Sequence, residues 1–450
     1  MQSPHHKSRT LLLVGALHAC THVYQVALLP LYLPIQKDLR LDNVGQSTLL
    51  VTVMMAAYFL PSYPMGMLAD RCSRKRLLAW GLLINALGFL GLAFASNYAA
   101  ALACVIVAGV GGSFFHPAAT ALVARLYPEA TGRALGLIGV GASVGFLAGP
   151  LYAGWRAAQT GNWRAPVLEL GLFGIVAAGA FAWLAEEAPV AARERADGET
   201  HADSGAAVPA ASVPPASRLQ TLGSPSETLG GLGQAGTPAP LPRPAPARLF
   251  PTPALWACFL TAAFAFSLRD FAGSSMGSLG SLFLQHAHGF TVRETGFALS
   301  GIFLLSVVSN PLFGHFSDRG RKRWTTLVLL IAAVMIALFP RLPRAWLAPA
   351  LVLYGFFFIA NYPMVEAALM EAVPDAVRGR VFGLFITIGG LLGNLSHWVA
   401  GHWVKQLGAK AGAPETYHGY YLLLAALVLV SLLGLPCLQE IRNREHSRQS

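Results

Sequence analysis

Apolar runs of about 20 residues recur along the chain, separated by short polar or basic stretches, and each is long enough to cross a bilayer as a helix. In order they predict spans near residues 10–35, 45–65, 77–95, 98–126, 134–155 and 166–185, then 254–284, 296–313, 324–339, 346–370, 381–405 and 420–437. Between the sixth and seventh runs the pattern stops. Residues 186–252 are rich in Pro, Ala, Gly and Ser, with few large apolar side chains and no helical stripe. Such a stretch cannot make a core and is expected to be a disordered cytoplasmic linker. The predicted fold is an all-α membrane protein of twelve transmembrane helices in two pseudo-symmetric six-helix bundles. Its parts are a bundle at 1–185, the linker at 186–252, a bundle at 253–441 and a cytoplasmic tail at 442–450. The first apolar run is too long for a signal-peptide core and no small-residue cleavage site follows it, so no cleavable signal is expected.

The polar stretches carry a repeat. Gly66-Met67-Leu68-Ala69-Asp70-Arg71-Cys72-Ser73-Arg74-Lys75-Arg76 returns as Gly314-His315-Phe316-Ser317-Asp318-Arg319-Gly320-Arg321-Lys322-Arg323. Cationic clusters do not sit in hydrocarbon, so each copy is a loop at one membrane face. Pro117 and Pro128 are eleven residues apart, as are Pro363 and Pro374, and Gly132-Arg133 and Gly379-Arg380 follow them. The fourth and fifth spans thus echo the tenth and eleventh. A duplication of this kind places a site between the halves near the bilayer midplane. Of the Lys and Arg residues, 22 fall on the side of the basic loops and 9 on the other. That bias puts both termini and the linker in the cytoplasm.

Composition sharpens this picture. Only 12% of residues are charged, mean hydropathy is +0.53, and the net charge of +11 is concentrated in short loops. The positive charge therefore reads as membrane orientation, and no nucleic-acid partner is expected. The five cysteines show no metal-ligand spacing, no clustered ligands appear, and no metal site is expected. There is no phosphate-binding Gly-x-x-x-x-Gly-Lys-Ser/Thr loop and no Ser nucleophile elbow, which argues against an ATP-driven pump and against an enzyme.

The first basic loop resembles the signature of the major facilitator superfamily, Gly-x-Leu-Ala-Asp-Arg-x-Gly-Arg-Arg, with Ser73 at the second Gly position. Gly145-Phe146-Leu147-Ala148-Gly149-Pro150-Leu151-Tyr152-Ala153-Gly154 is similar to the fifth-helix antiporter signature of that family, departing only at Ala153. Tyr24-Gln25 with Leu29-Pro30, and Phe115-His116-Pro117-Ala118, resemble its fosmidomycin-resistance branch of efflux transporters. The resemblance implies a cytoplasmic latch in which Asp70, with Arg71 and Arg74, meets the N-terminus of the eleventh helix. Asp318, with Arg319 and Arg321, would do the same at the fifth helix near Arg133. A carboxylate is stabilised by the exposed N–H groups and positive end of a helix, whereas fixing topology alone needs no Asp. The resemblance further implies that Gly145, Gly149 and Pro150 set the packing of the fifth helix and bend it. The Arg that many proton-coupled members carry in the fourth helix has no counterpart in Val105–Gly109.

Polar residues inside the spans are the candidate site. His18, His22 and Gln25 are spaced i, i+4, i+7 and share one helix face. Burial against lipid would cost several kcal/mol, so they are expected to line the bundle interior, as is His116. Each could instead be a satisfied core residue, and a His could also carry a proton. Arg269 and Asp270 are adjacent in the seventh span and point ~100° apart on a helix, so they need not pair with each other. Asn361 and Glu366 lie on the tenth span, Glu366 being a second proton-carrier candidate. Glu371 is expected near the cytoplasmic face and Glu169 at the outer interface.

The expected function is secondary transport by alternating access: proton-coupled efflux of a small organic solute or drug. The energy source is the proton gradient, no cofactor is needed, and the partners are solute, protons and lipid. The protein is expected in the bacterial inner membrane and functional as a monomer. Symport of a small anionic metabolite is the alternative within transport. A non-transporting receptor or assembly factor is the alternative of another class, against which the polar residues in the spans count.

Overall fold

The structure, a computed structural model, describes residues 4–127, 131–187 and 249–449. Most of the expected linker, and Pro128 of the proline repeat, lie outside these residues. Among the described residues the secondary structure is helical, with short 3-10 turns and no strand. A helix satisfies its own backbone groups, which is what hydrocarbon demands.

Among the described residues eleven helices are long and apolar enough to cross a membrane. They are His6–Asp38, Arg74–Phe94, Tyr98–Leu126, Arg133–Thr160 and Arg164–Leu184, then Pro253–His286, Val292–Ser317, Arg321–Arg341, Arg344–Ala372, Val377–Gly412 and Pro414–Arg444. The remaining span, second in chain order, is interrupted at Leu60-Pro61 and falls into Val44–Phe59 and Ser62–Arg71. Counted with it, the described residues hold twelve spans, numbered first to twelfth below.

Proline sets these interruptions. A ring at position i removes an N–H and clashes with the carbonyl of i−4. Leu60 precedes Pro64 by four residues. Helical segments likewise end at Ser113, four before Pro117; at Phe358, with Ile359 four before Pro363; and at Ser431, with Leu432 four before Pro436. The fifth span behaves differently: its helix Thr131–Thr160 is continuous through Pro150.

Small residues bring the spans together. A Cβ built on Gly141 would stand 2.1 Å from the Gly15 carbonyl, one on Gly145 2.2 Å from the Ala19 carbonyl, and one on Gly149 2.9 Å from the Val23 carbonyl. Fifth and first helices therefore touch backbone to backbone, as expected where no hydrophobic drive separates helix from lipid. Gly145 and Gly149 hold this contact; Gly141, at the same spacing, extends it. Large apolar side chains are left outward, among them Trp183, Phe94 and Val176.

At the end bearing the basic loops, carboxylates tie the halves' own helices together. Glu187 accepts from the Ser73 hydroxyl (2.7 Å) and from the backbone N–H groups of Arg74 (3.1 Å) and Lys75 (2.9 Å). Glu186 pairs with Arg9 at 2.5 Å. These two residues, assigned to the linker from composition, belong to the first bundle's packing. In the second half Arg321 pairs with Glu371 at 2.5 Å, and Arg442 with the same carboxylate at 3.6 Å. Glu371 is thus structural, as expected.

At the opposite end the halves meet. The Thr52 hydroxyl donates to the Asn394 carbonyl (3.1 Å) and accepts from the Trp398 N–H (3.0 Å). The Ser281 hydroxyl donates to the Leu29 carbonyl at 2.6 Å. A Cβ on Gly296 would lie 2.4 Å from the Pro150 carbonyl and one on Gly154 2.7 Å from the Val292 carbonyl. Glu169 sits at this end, paired with Arg156 at 2.7 Å.

Candidate functional site

Each half builds a polar cluster in the same way, from its first helix against the proline break of its fourth. In the first half, His18 and His22 lie one turn apart on the first span with their Nε2 atoms 3.0 Å apart. His18 Nδ1 donates to the Ile138 carbonyl at 2.8 Å, and His22 Nδ1 lies 2.8 Å from Gln25 Oε1. His116 arrives from the fourth span, just past the break at Phe114. Its ring is 5.3 Å from that of His18 and 5.8 Å from that of His22. His18 and His22 are buried, whereas His116 is exposed. Phe115 stacks on His18 at 4.6 Å and Phe146 lies 4.1 Å from His22, fixing both rings.

In the second half, Arg269 is buried on the seventh span. Its Nε and Nη2 donate to Asp270 Oδ1 at 3.0 and 2.7 Å, and its Nη1 to Asn361 Oδ1 at 2.6 Å. The neighbours do pair: the flexible guanidinium stem folds back across the angle that separates their Cβ atoms. The guanidinium carbon also sits 4.4 Å from the Tyr362 ring centroid and 5.2 Å from that of Phe266, a cation–π arrangement. Asn361 opens the helical segment after the tenth-span break, and its amide donates to the Phe358 carbonyl that the break leaves behind. Glu366, one turn further on, lies within electrostatic reach of Arg269 and Asp270. Among the described residues it makes no hydrogen bond or ion pair.

The eight candidate cavity residues thus form two clusters rather than one: His18, His22, Gln25 and His116 in one half, Arg269, Asp270, Asn361 and Glu366 in the other. Aromatic rings and span eleven stand between them. Tyr58 is 6.1 Å from His116 by ring centroids and 5.0 Å from Phe59, whose ring packs on Gly390; Asp270 packs on Gly389 and Gly393 of the same helix. A Cβ on Gly393 would lie 2.7 Å from that of Asp270.

The latch residues stand at the basic-loop end. Asp318 is 70% exposed and lies 3.7 Å from Arg321 of its own loop. Arg71, Arg319 and Arg133 are exposed. The side chain of Asp70 lies outside the described residues. Gly145, Gly149 and Pro150 act at the opposite side of the molecule's interior, on the first helix and on Gly296.

Some site residues escaped the sequence reading. His397 on the eleventh span contacts the Ser278 hydroxyl through Nδ1 and lies 3.0 Å from Asn394 Oδ1 through Nε2. Ser278 in turn lies 2.9 Å from the Tyr32 hydroxyl, so this polar chain crosses between the halves. A His inside an apolar run was the available signal. Tyr58, Tyr362 and Phe146 looked like ordinary apolar fill.

Among the described residues, eleven membrane-length helices and the interrupted second span, in two like halves each with a polar cluster at its own proline break, define an integral membrane protein with a transporter's architecture. The family model of the Major Facilitator Superfamily matches residues 11–397, and the chain belongs to that family. It is similar to a multidrug resistance protein, MdtH, of Cronobacter sakazakii, 31% identical over 25% of this chain and 30% of the relative. A protein of the same name from Aeromonas salmonicida is 34% identical over 20% of this chain and 23% of its own length. The chain therefore matches under a third of the length of these curated relatives. Among solved structures, a bacterial homologue of the human lysosomal transporter Spinster, inward-facing and unoccupied, shares the fold with a TM-score of 0.67, at 17% identity over 98% of both chains.

Proposed function

We propose that the chain is a proton-driven exporter of a small organic solute in a bacterial inner membrane, working by alternating access with its basic loops and termini in the cytoplasm. The observation that carries this reading is the cluster of Arg269, Asp270, Asn361 and Glu366 at the break of the tenth span. Ionisable groups at such a depth are costly to keep and mark a transport path.

The geometry supplies a coupling. Asp270 pairs with Arg269 and also packs on Gly389 and Gly393 of the eleventh span. That span makes the bonds to Thr52 that join the halves. Protonating Asp270 removes the counter-charge of Arg269, frees the guanidinium for an anionic group of the solute, and loosens the wedge against the eleventh span. The nearness of Glu366 to Arg269 and Asp270 supports a role in taking or passing the proton. A ligand, here a proton, shifts the balance of states only through a difference in affinity between them. The paired and unpaired states of Asp270 provide that difference.

The state described is closed away from the basic loops. Contacts at Gly154, Gly296 and Gly401 are tight at that end, whereas a Cβ on Gly136, Gly139, Gly379 or Gly383 near the basic loops meets nothing within 4 Å. This pattern supports an inward-facing conformation. Export, rather than uptake, is favoured by the multidrug-resistance names of the relatives.

The test is Asp270→Asn. A strain overexpressing the wild type is screened against a panel of toxic compounds, and a protective hit is then assayed in proteoliposomes under an imposed proton gradient. The variant is expected to lose gradient-driven transport while retaining solute binding. Unchanged transport would remove Asp270 from the mechanism, and uptake driven by an inward gradient would replace export with symport.

A further inference from the structure

The three histidines of the first half have an arrangement that proton coupling at Arg269 and Asp270 does not use. The partner of His18 Nδ1 is the Ile138 carbonyl, which can only accept, so Nδ1 carries the hydrogen and Nε2 a lone pair. His22 Nδ1 lies 2.8 Å from the side-chain amide of Gln25, which holds that ring whichever amide atom faces it. The two Nε2 atoms face one another at 3.0 Å inside a buried site, close enough to share a hydrogen or a cation.

The spacing suits a metal. Imidazoles bound tetrahedrally at a Zn–N distance of about 2.0–2.1 Å hold their nitrogens roughly 3.3 Å apart. The ligand atoms of His18, His22 and His116 all lie within 4.8 Å of one another. His18 and His22 are close to the required separation already. His116 is the exposed member. His18 also carries the outer support that metal-binding histidines need, its distal N–H given to the Ile138 carbonyl, and the Gln25 amide holds the ring of His22. The rings of Phe115 and Phe146 pack on His18 and His22 and keep water from competing.

We propose that His18, His22 and His116 form a three-imidazole site for a divalent transition-metal cation of the zinc class, with the fourth position held by water on the exposed side of His116. Neutral imidazole is a borderline ligand that suits zinc, cobalt, nickel and copper rather than magnesium or calcium. The site lies in the half that does not hold Arg269, and binding at it does not depend on what the protein transports.

The experiment uses the purified full-length chain in detergent, without a histidine tag and with His5→Gln and His6→Gln so that the N-terminal pair cannot contribute. Cobalt(II) is titrated in, its visible ligand-field absorption is followed, and zinc is then added. The expected result is an intense tetrahedral cobalt signal saturating at one ion per chain and displaced by zinc. His116→Ala, at an exposed side chain that the fold tolerates, is expected to weaken binding more than tenfold. Gln25→Leu, which removes support from His22 without removing a ligand, is expected to weaken it by about 10–100-fold. No tetrahedral signal in the wild type would overturn the proposal and leave a proton as the occupant of the His18–His22 gap. A signal that survives His22→Asn and His116→Ala unchanged would overturn it as well.

Discussion

Arg269 and Asp270 present the sharpest energetic question at the scale of single residues. The guanidinium is satisfied on all sides, by Asp270, by Asn361 and by the rings of Phe266 and Tyr362. Removing one partner of such a buried pair leaves the other charge uncompensated, at a cost of about 3–5 kcal/mol, whereas removing both costs much less. Arg269→Ala is therefore expected to lower the melting temperature in detergent more than Arg269→Ala with Asp270→Ala. Equal or additive losses would mean the two side chains do not act as a pair. The sequence made these residues visible because charge in an apolar run is conspicuous, and it made His18, His22 and Gln25 visible through their helical spacing. It could not show that His116, 94 positions after His22, joins them, since only the packing of the fourth span on the first does that. Nor could it separate the eight residues into two groups, because which side of the eleventh helix a side chain meets is a matter of tertiary packing. Glu187 was hidden for another reason: it reads as linker composition, and its role as an anion on the N-terminal N–H groups of the third helix depends on where the sixth helix ends.

Spans are the next scale, and here proline and glycine do different work. Prolines break the second, fourth, tenth and twelfth spans four residues upstream, and the fourth- and tenth-span breaks seat His116, Asn361 and Tyr362. The repeat of Pro117 and Pro363 made this pairing legible. Glycines instead set how closely helices meet. The fifth-helix motif was legible as a close-packing signal, but its partners were not: Gly145 and Gly149 serve the first helix of their own half, whereas Pro150 and Gly154 face Gly296 across the halves. A larger residue at Gly296 must push the Pro150 backbone away, and overpacking of this kind costs about 1–3 kcal/mol. Gly296→Val is expected to destabilise the closed seam and move the population toward the state open at that end. With the native cysteines replaced, alkylation of a single cysteine introduced at Ser281, buried where the halves meet at that end, by a membrane-impermeant maleimide should then be faster than without Gly296→Val. An unchanged rate would show that the seam tolerates the side chain.

For the whole molecule, the proposed cycle rocks two similar six-helix halves about polar clusters near their proline breaks. The twelve-span, two-half organisation was legible from hydropathy and from the repeated basic loops, because a bilayer leaves a chain few options. The contacts of Thr52 and Ser281 across the halves were not, because they depend on tertiary packing that hydropathy and loop charge do not record. The most direct measurement is a pair of spin-label distances in proteoliposomes, with the five native cysteines replaced. One pair, at Arg76 and Arg323, spans the basic-loop end; the other, at Lys37 and Arg293, spans the opposite end. Lowering the pH is expected to change the two distances in opposite directions, and Asp270→Asn to abolish the response. Distances that stay fixed at both ends, or that change together, would contradict alternating access in this chain.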